Sequence, residues 1–110
     1  MVVLVALLPR KPGMSKEDFH RHWREVHAPL VVETLGKHLQ SYEQYHRLPD
    51  GMGSGDEWDG LAIQRYESQE AFTAFISDPA YAEKVYADER EFMDVDRIVW
   101  FITEPPEKFV

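Results

Sequence analysis

The pattern of apolar and polar positions divides the chain into six segments. Val2 to Leu8 is an unbroken apolar run dominated by β-branched residues and ended by Pro9 and Pro12-Gly13, which predicts a buried strand. Ser15 reads as a helix N-cap, with Glu17 and Asp18 in the first turn. Phe19, Trp23, Val26 and Leu30 follow at helical spacing and form one apolar stripe. Pro29 has no N–H to donate, so a kink or break is predicted there, with residues 30–39 continuing as a second helical piece. Residues 40–48 predict a second strand on which Tyr42, Gln44 and His46, spaced by two, share a face. A glycine-rich loop over 49–60 leads into a third strand over 61–66. Ser68 caps a helix with Phe72, Phe75 and Ile76 on one side. Asp78-Pro79 starts a further helix that runs to about Met93, with Tyr81, Val85 and Phe92 turned inward. Residues 97–103 alternate as a fourth strand, Ile98, Trp100 and Ile102 on one side and Val99, Phe101 and Thr103 on the other.

The order β-α-β-β-α-β predicts an α+β, ferredoxin-like fold, a four-stranded antiparallel sheet with its helices on one face. The first and fourth strands are apolar on both sides, so the second face of the sheet also needs cover. A second copy of the chain supplies it most economically. The expected assembly is a homodimer in which two sheets face each other and enclose an interior.

Composition narrows the partners. A chain of 110 residues is read as one domain, 1–110. Its formal net charge of −8 would remain negative with all five histidines protonated, so no nucleic-acid partner is expected. The absence of cysteine excludes disulfides, thiolate zinc sites, iron–sulfur clusters and a cysteine nucleophile, and it fits a reducing, cytoplasmic setting. The initial apolar run is too short to span a bilayer and lacks a basic region before it, so no membrane partner or leader is expected.

Candidate chemistry concentrates between His20 and Pro29. On a 3.6-residue helix His20 and His27 flank the apolar stripe, about 100° and 80° from Phe19. His27 is four residues from Trp23, within contact distance, and just before the proline break, where unpaired carbonyls would favour a protonated imidazole or a donated N–H. His20, His22 and His27 lack the spacing of a helical zinc pair, and no H-E-x-x-H motif occurs, so no metal is expected. Tyr42, Gln44 and His46 offer placed polar groups, and a tyrosine with a histidine makes an acid–base pair. Arg65 on the third strand is expected at the rim of a site or as an anion-binding group. Asp88, Glu89 and Glu91 read as a solvated acidic helix face. Phosphate-binding and dinucleotide-binding glycine motifs are absent, as is G-x-S-x-G.

The stretch Arg10-Lys11-Pro12-Gly13, then Phe19 and Trp23, then His27-Ala28-Pro29-Leu30 resembles the EthD family. Tyr42, Asp59-Gly60, Ser68, Asp88-Glu89 and Phe92 fit the same pattern across nearly the whole chain. The resemblance implies a dimeric α+β barrel, two ferredoxin-like protomers packed sheet to sheet around pockets. It places the chain near a methylmuconolactone methylisomerase, aromatic polyketide cyclases and heme-handling monooxygenases. In methylisomerase-like members a histidine of the first helix and a tyrosine of the second strand belong to the site, which implies His27 and Tyr42 here. The loop histidine and the cysteine of that isomerase have no counterpart, since residues 49–60 hold no histidine and the chain no cysteine. Ile63 and Arg65 also depart from the glutamate and aromatic residue of many members.

The expected function is a small cofactor-independent enzyme of isomerase, cyclase or lyase type. It would act by proton transfer on a hydrophobic, carbonyl-bearing ring compound, with His27 moving a proton and Tyr42 holding the enolate oxygen. Trp23, Gln44, His46 and Arg65 would contact the substrate. The alternatives are a non-catalytic ligand-binding accessory to an oxygenase in xenobiotic degradation, the association for which the family is filed with oxidoreductases, and a heme-linked oxidoreductase.

Overall fold

The computed structural model describes residues 1–110. Four strands, β1 (Val2–Leu8), β2 (Ser41–His46), β3 (Gly60–Tyr66) and β4 (Val99–Thr103), form one antiparallel sheet in the order β2-β3-β1-β4. This is the ferredoxin-like arrangement. The sheet's helix-facing side carries Leu4, Ala6 and Leu8 of β1, paired with Gln64, Ala62 and Gly60 of β3. Tyr42, Gln44 and His46 of β2 continue the same rows.

The first helical region starts at Ser15, whose hydroxyl accepts the Asp18 N–H at 3.0 Å. It comprises α1 (Lys16–His22), a π-helical turn (Trp23–His27) and α2 (Ala28–Leu35). No break occurs at Pro29. The chain stays helical through His27 and Ala28, and the Ala28 N–H reaches back five residues to the Trp23 carbonyl. The π turn takes up the proline by adding a residue to one turn instead of ending the helix. It also changes which residues face inward. Phe19, Trp23, His27, Val31 and Leu35 form the buried line, whereas Val26 is exposed. Their spacing of four outruns a regular α-helix by about 40° per step, and the extra residue brings the later positions back into line. His27 therefore lies within the buried stripe, not beside it.

After β3, Ser68 caps α3 (Gln69–Ser77) by accepting the Ala71 N–H at 3.1 Å. Asp78 takes the Ala80 N–H on Oδ1 at 3.0 Å, as the Asp-Pro pair predicts. A second π turn (Tyr81–Val85) then leads into α4 (Tyr86–Phe92), and a 3₁₀ turn over Val95–Arg97 occupies the start of the predicted fourth strand. The loop between β2 and β3 is organised by Arg47, which donates to the carbonyls of Gly51, Gly55 and Trp58 at 2.7, 2.8 and 3.1 Å. Its last residue before the strand, Asp59, is buried and accepts both the Arg10 guanidinium at 2.7 Å and the Arg10 N–H at 3.0 Å.

The core has two lobes. One gathers Ala6, Leu8, Phe19, Trp23, Ala62, Phe92 and Met93, and the other Val31, Leu35, Tyr66, Phe75 and Val85. Toward the second lobe the sheet presents the small facing methyl groups of Ala6 and Ala62, and a space remains beneath the helices. The opposite face of the sheet stays open: Tyr45, Val99 and Phe101 are 49%, 43% and 54% exposed. No helix is long and apolar enough to cross a membrane.

Candidate active site

A cavity of about 360 Å³ occupies the gap between the lobes. It lies between the sheet and the helices of a single chain. Its walls are mostly apolar and include the rings of Trp23, Phe72, Phe75, Tyr81, Tyr86 and Trp100. His27, Tyr42, Gln64 and Glu89 bring the polar chemistry to this lining.

His27 is turned inward by the π turn and is 4% exposed. Its Nδ1 lies 2.8 Å from Asp88 Oδ2, while the other oxygen of Asp88 lies 2.9 Å from His22 Nε2. A carboxylate can only accept, so Nδ1 of His27 carries the proton and the neutral ring presents a bare Nε2. Burial pushes the His27 pKa below 6.5, and the hydrogen bond and charge of Asp88 only partly oppose it. The donated N–H expected at this histidine thus goes to a carboxylate of α4, not to a loose carbonyl of its own helix.

Glu89 Oε2 stands 4.0 Å from His27 Nε2. Burial, reinforced by the Asp88 charge, raises its pKa from 4.5 to about 7. The expected solvated face holds for Glu91, which is exposed, but not for Asp88 and Glu89. Asp88 and Glu89 are three and four residues beyond the buried Val85, and four and three before the buried Phe92, so they belong to the inward side of α4. Interval counting from Val85 and Phe92 was the signal available in the sequence.

Tyr42 points into the cavity from β2, and burial raises its pKa, with the side chains of Gln44 and Trp23 opposing by hydrogen bonding. Its hydroxyl is therefore a proton-bearing donor at neutral pH. Gln64, on the neighbouring strand and directly across from Tyr42, accepts the Tyr66 hydroxyl at 2.6 Å. It was not anticipated, although Ala62, Gln64 and Tyr66 alternate as an inward row.

Of the other anticipated contacts, Trp23 reaches the cavity and Gln44, His46 and Arg65 do not. Trp23 forms a wall of the cavity, but its ring packs 4.3 Å from that of His46 and lies between His46 and the cavity. Gln44 is behind Tyr42, donating to the Tyr42 oxygen at 3.2 Å and the Trp23 carbonyl at 2.9 Å. Arg65 emerges on the opposite face of the sheet, paired with Glu43 and bonded to Ser41 at 3.3 Å. Odd and even positions of a strand face opposite ways, so Arg65 cannot join Gln64 in one pocket. No group of three or more His, Asp or Glu side chains converges in metal-holding geometry.

The dehydratase ustZ of Ustilaginoidea virens is 30% identical, over 84% of this chain and 77% of its own length. The decarboxylase claH of Passalora fulva is 27% identical over 80% of this chain, and the match spans 65% of that protein, so this chain corresponds to about two thirds of it. Among solved structures, an ethyl tert-butyl ether D (EthD) family protein of Bacillus halodurans superposes with a TM-score of 0.73 at 21% identity, covering 96% of this chain and 99% of that one. A dimeric protein of unknown function with a ferredoxin-like fold, from Bacteroides fragilis, gives 0.67 at 11% identity, covering 94% of each chain. The EthD domain matches residues 11–96, and the chain belongs to the EthD domain family.

Proposed function

We propose that the protein is a small lyase that forms and collapses an enolate on a hydrophobic, carbonyl-bearing ring compound. The observation that carries this is the His27–Asp88 pair, whose bare Nε2 faces a protonatable Glu89 across 4.0 Å in an apolar cavity. For dehydration, His27 Nε2 takes the proton alpha to the carbonyl. The C–H electrons form the C=C bond through an enolate held by the Tyr42 hydroxyl. Glu89 gives its proton to the departing hydroxyl, which leaves as water. For decarboxylation of a substrate carboxylate, the carbon–carbon bond breaks to release carbon dioxide, its electrons pass into the same enolate, and Glu89 then gives its proton to the carbon. Relatives named dehydratase and decarboxylase support a cavity that serves either exit from one intermediate. Asp88 fixes the tautomer and angle of His27 in both.

Enolisation can be measured without the natural substrate. The protein is expected to accelerate deuterium exchange at the α-carbons of 2-tetralone, a bicyclic ketone, followed by proton NMR in D₂O. Binding of 2-tetralone with no acceleration would instead favour a ligand-binding accessory.

The pH dependence has a definite sign. Dehydration needs His27 deprotonated and Glu89 protonated. Turnover is expected to fall below the depressed His27 pKa and again above about 7, giving an optimum on the acid side of neutral. Folding stability should follow the same group. Glu89 holds its proton more tightly when folded (about 7) than when unfolded (4.5), so stability decreases as pH rises through that window. Urea unfolding of Glu89→Gln should lose this slope; an unchanged slope would show that Glu89 is not the titrating group.

We also infer a homodimer formed through the open face of the sheet. Exposed Tyr45, Val99 and Phe101 support it, as does the fold shared with proteins described as dimeric. Light scattering should show Phe101→Glu shifted toward monomer, with the wild type at twice the chain mass.

A further inference from the structure

Gln44 lies at the inner end of a line of hydrogen bonds that begins in a second, polar groove of about 650 Å³ on the far side of Trp23. We propose that Gln44, locked by the His46–His20 pair, is a positioning residue that turns the Tyr42 hydroxyl proton into the cavity. This rests on the reading of Tyr42 as the donor to a substrate oxygen.

Every proton on the line follows from one carbonyl. The Trp23 oxygen can only accept, so the Gln44 atom 2.9 Å from it is the NH₂ group. That fixes the amide, and its oxygen faces His46 Nε2 at 2.8 Å. An amide oxygen only accepts, so Nε2 of His46 carries a proton. A neutral imidazole protonated there has a bare Nδ1, and this atom faces His20 Nδ1 at 2.6 Å. His20 must therefore donate from Nδ1. Flipping the Gln44 amide would set carbonyl against carbonyl at Trp23, a clash that no change of histidine tautomer relieves.

The other end of the amide sets Tyr42. The Gln44 NH₂ donates to the phenolic oxygen at 3.2 Å, so that side of the oxygen is occupied as an acceptor. The indole N–H of Trp23, the other group that hydrogen-bonds this hydroxyl, can likewise only donate, so neither partner takes the phenolic proton, which is left free to turn toward the cavity that Tyr42 lines. The histidine pair resists a second proton, since two N–H groups would then meet head-on. Independently of that contact, burial first and the charge of Arg24 second lower the pKa of both rings. Arg10 and Lys16 add to this at His20, and Asp59 opposes it.

Two measurements test the assignment. Nitrogen-15 NMR of the full chain at pH 7 should show His20 as the Nδ1–H tautomer and His46 as the Nε2–H tautomer. Finding His46 protonated at Nδ1, or both rings doubly protonated, overturns the lock without any ligand. The second uses 9-fluorenone, a planar aromatic ketone, and the infrared carbonyl stretch of the bound molecule. Its shift to lower frequency in the wild type should be lost in Tyr42→Phe and largely lost in Gln44→Met. His46→Phe, further from the cavity, should weaken it and serves if Gln44→Met does not fold. A full shift retained in folded Gln44→Met and His46→Phe, yet lost in Tyr42→Phe, overturns the role of Gln44 and leaves the reading of Tyr42 standing. A bound fluorenone with no shift in the wild type overturns that reading itself, and the proposal with it.

Discussion

His27→Asn is expected to reduce enolisation of 2-tetralone by about 10²–10⁴-fold, the range for loss of a general base. Asparagine roughly keeps the volume and the capacity to bond Asp88, but it has no nitrogen lone pair to accept a proton. Asp88→Asn should also be severe for a different reason. An amide in place of the carboxylate can donate to Nδ1, which moves the imidazole proton onto Nε2 and blocks the basic position. The two losses should not add, because both remove the same base. Exchange rates of His27→Asn, Asp88→Asn and the double variant decide it. A double variant far slower than His27→Asn would mean that Asp88 acts independently of the histidine. Unchanged exchange in His27→Asn would remove the histidine from the chemistry.

Trp23→Ala should produce the largest loss of stability, about 3–5 kcal/mol, as for other fully buried large aromatic residues. The indole stands between the cavity and the polar groove, with one edge on the cavity and the other against His46. Its seat depends on Gly60. A β-carbon at position 60 would stand 2.7 Å from Cη2 of Trp23 and 3.0 Å from the Tyr45 carbonyl oxygen. Gly60→Ala should therefore cost about 1–3 kcal/mol through overpacking, even though alanine is the smallest side chain that can be added. In the background of Trp23→Ala the indole clash is gone, so the cost of Gly60→Ala should shrink and the double variant should be more stable than the sum of the two losses. Urea unfolding of all four proteins measures this, and additive losses would mean that the indole does not set the requirement for glycine.

The strands, the Ser15 and Ser68 caps and the Asp78-Pro79 start were legible because each depends on neighbours in sequence. The split β-α-β-β-α-β order followed from them. The site was legible only in part. His27 and Tyr42 were identified through motif position and reach the cavity, as does Trp23, whereas Gln44 and His46 share Tyr42's face but sit behind the indole. Period-two spacing gives a face, and a face is wider than a pocket. The carboxylates were missed because a charged run on a helix usually belongs to solvent, and their partners, His22 and His27, are more than sixty residues away. The π turns were invisible to a regular helical wheel. Both break its phase just where His27 and the Asp88-Glu89 pair are delivered.

The π turn at Trp23–His27 has a consequence for how the site is written into the chain. A side chain's chemistry is set by its identity, but the direction of His27 is set by a count. One residue more than a regular turn needs rotates everything after it by about 100° relative to everything before. A chain one residue shorter here would keep its histidine, tyrosine and carboxylates, yet the imidazole would be aimed away from them. The instruction for the site is thus stored in the phase of a helix as much as in any residue.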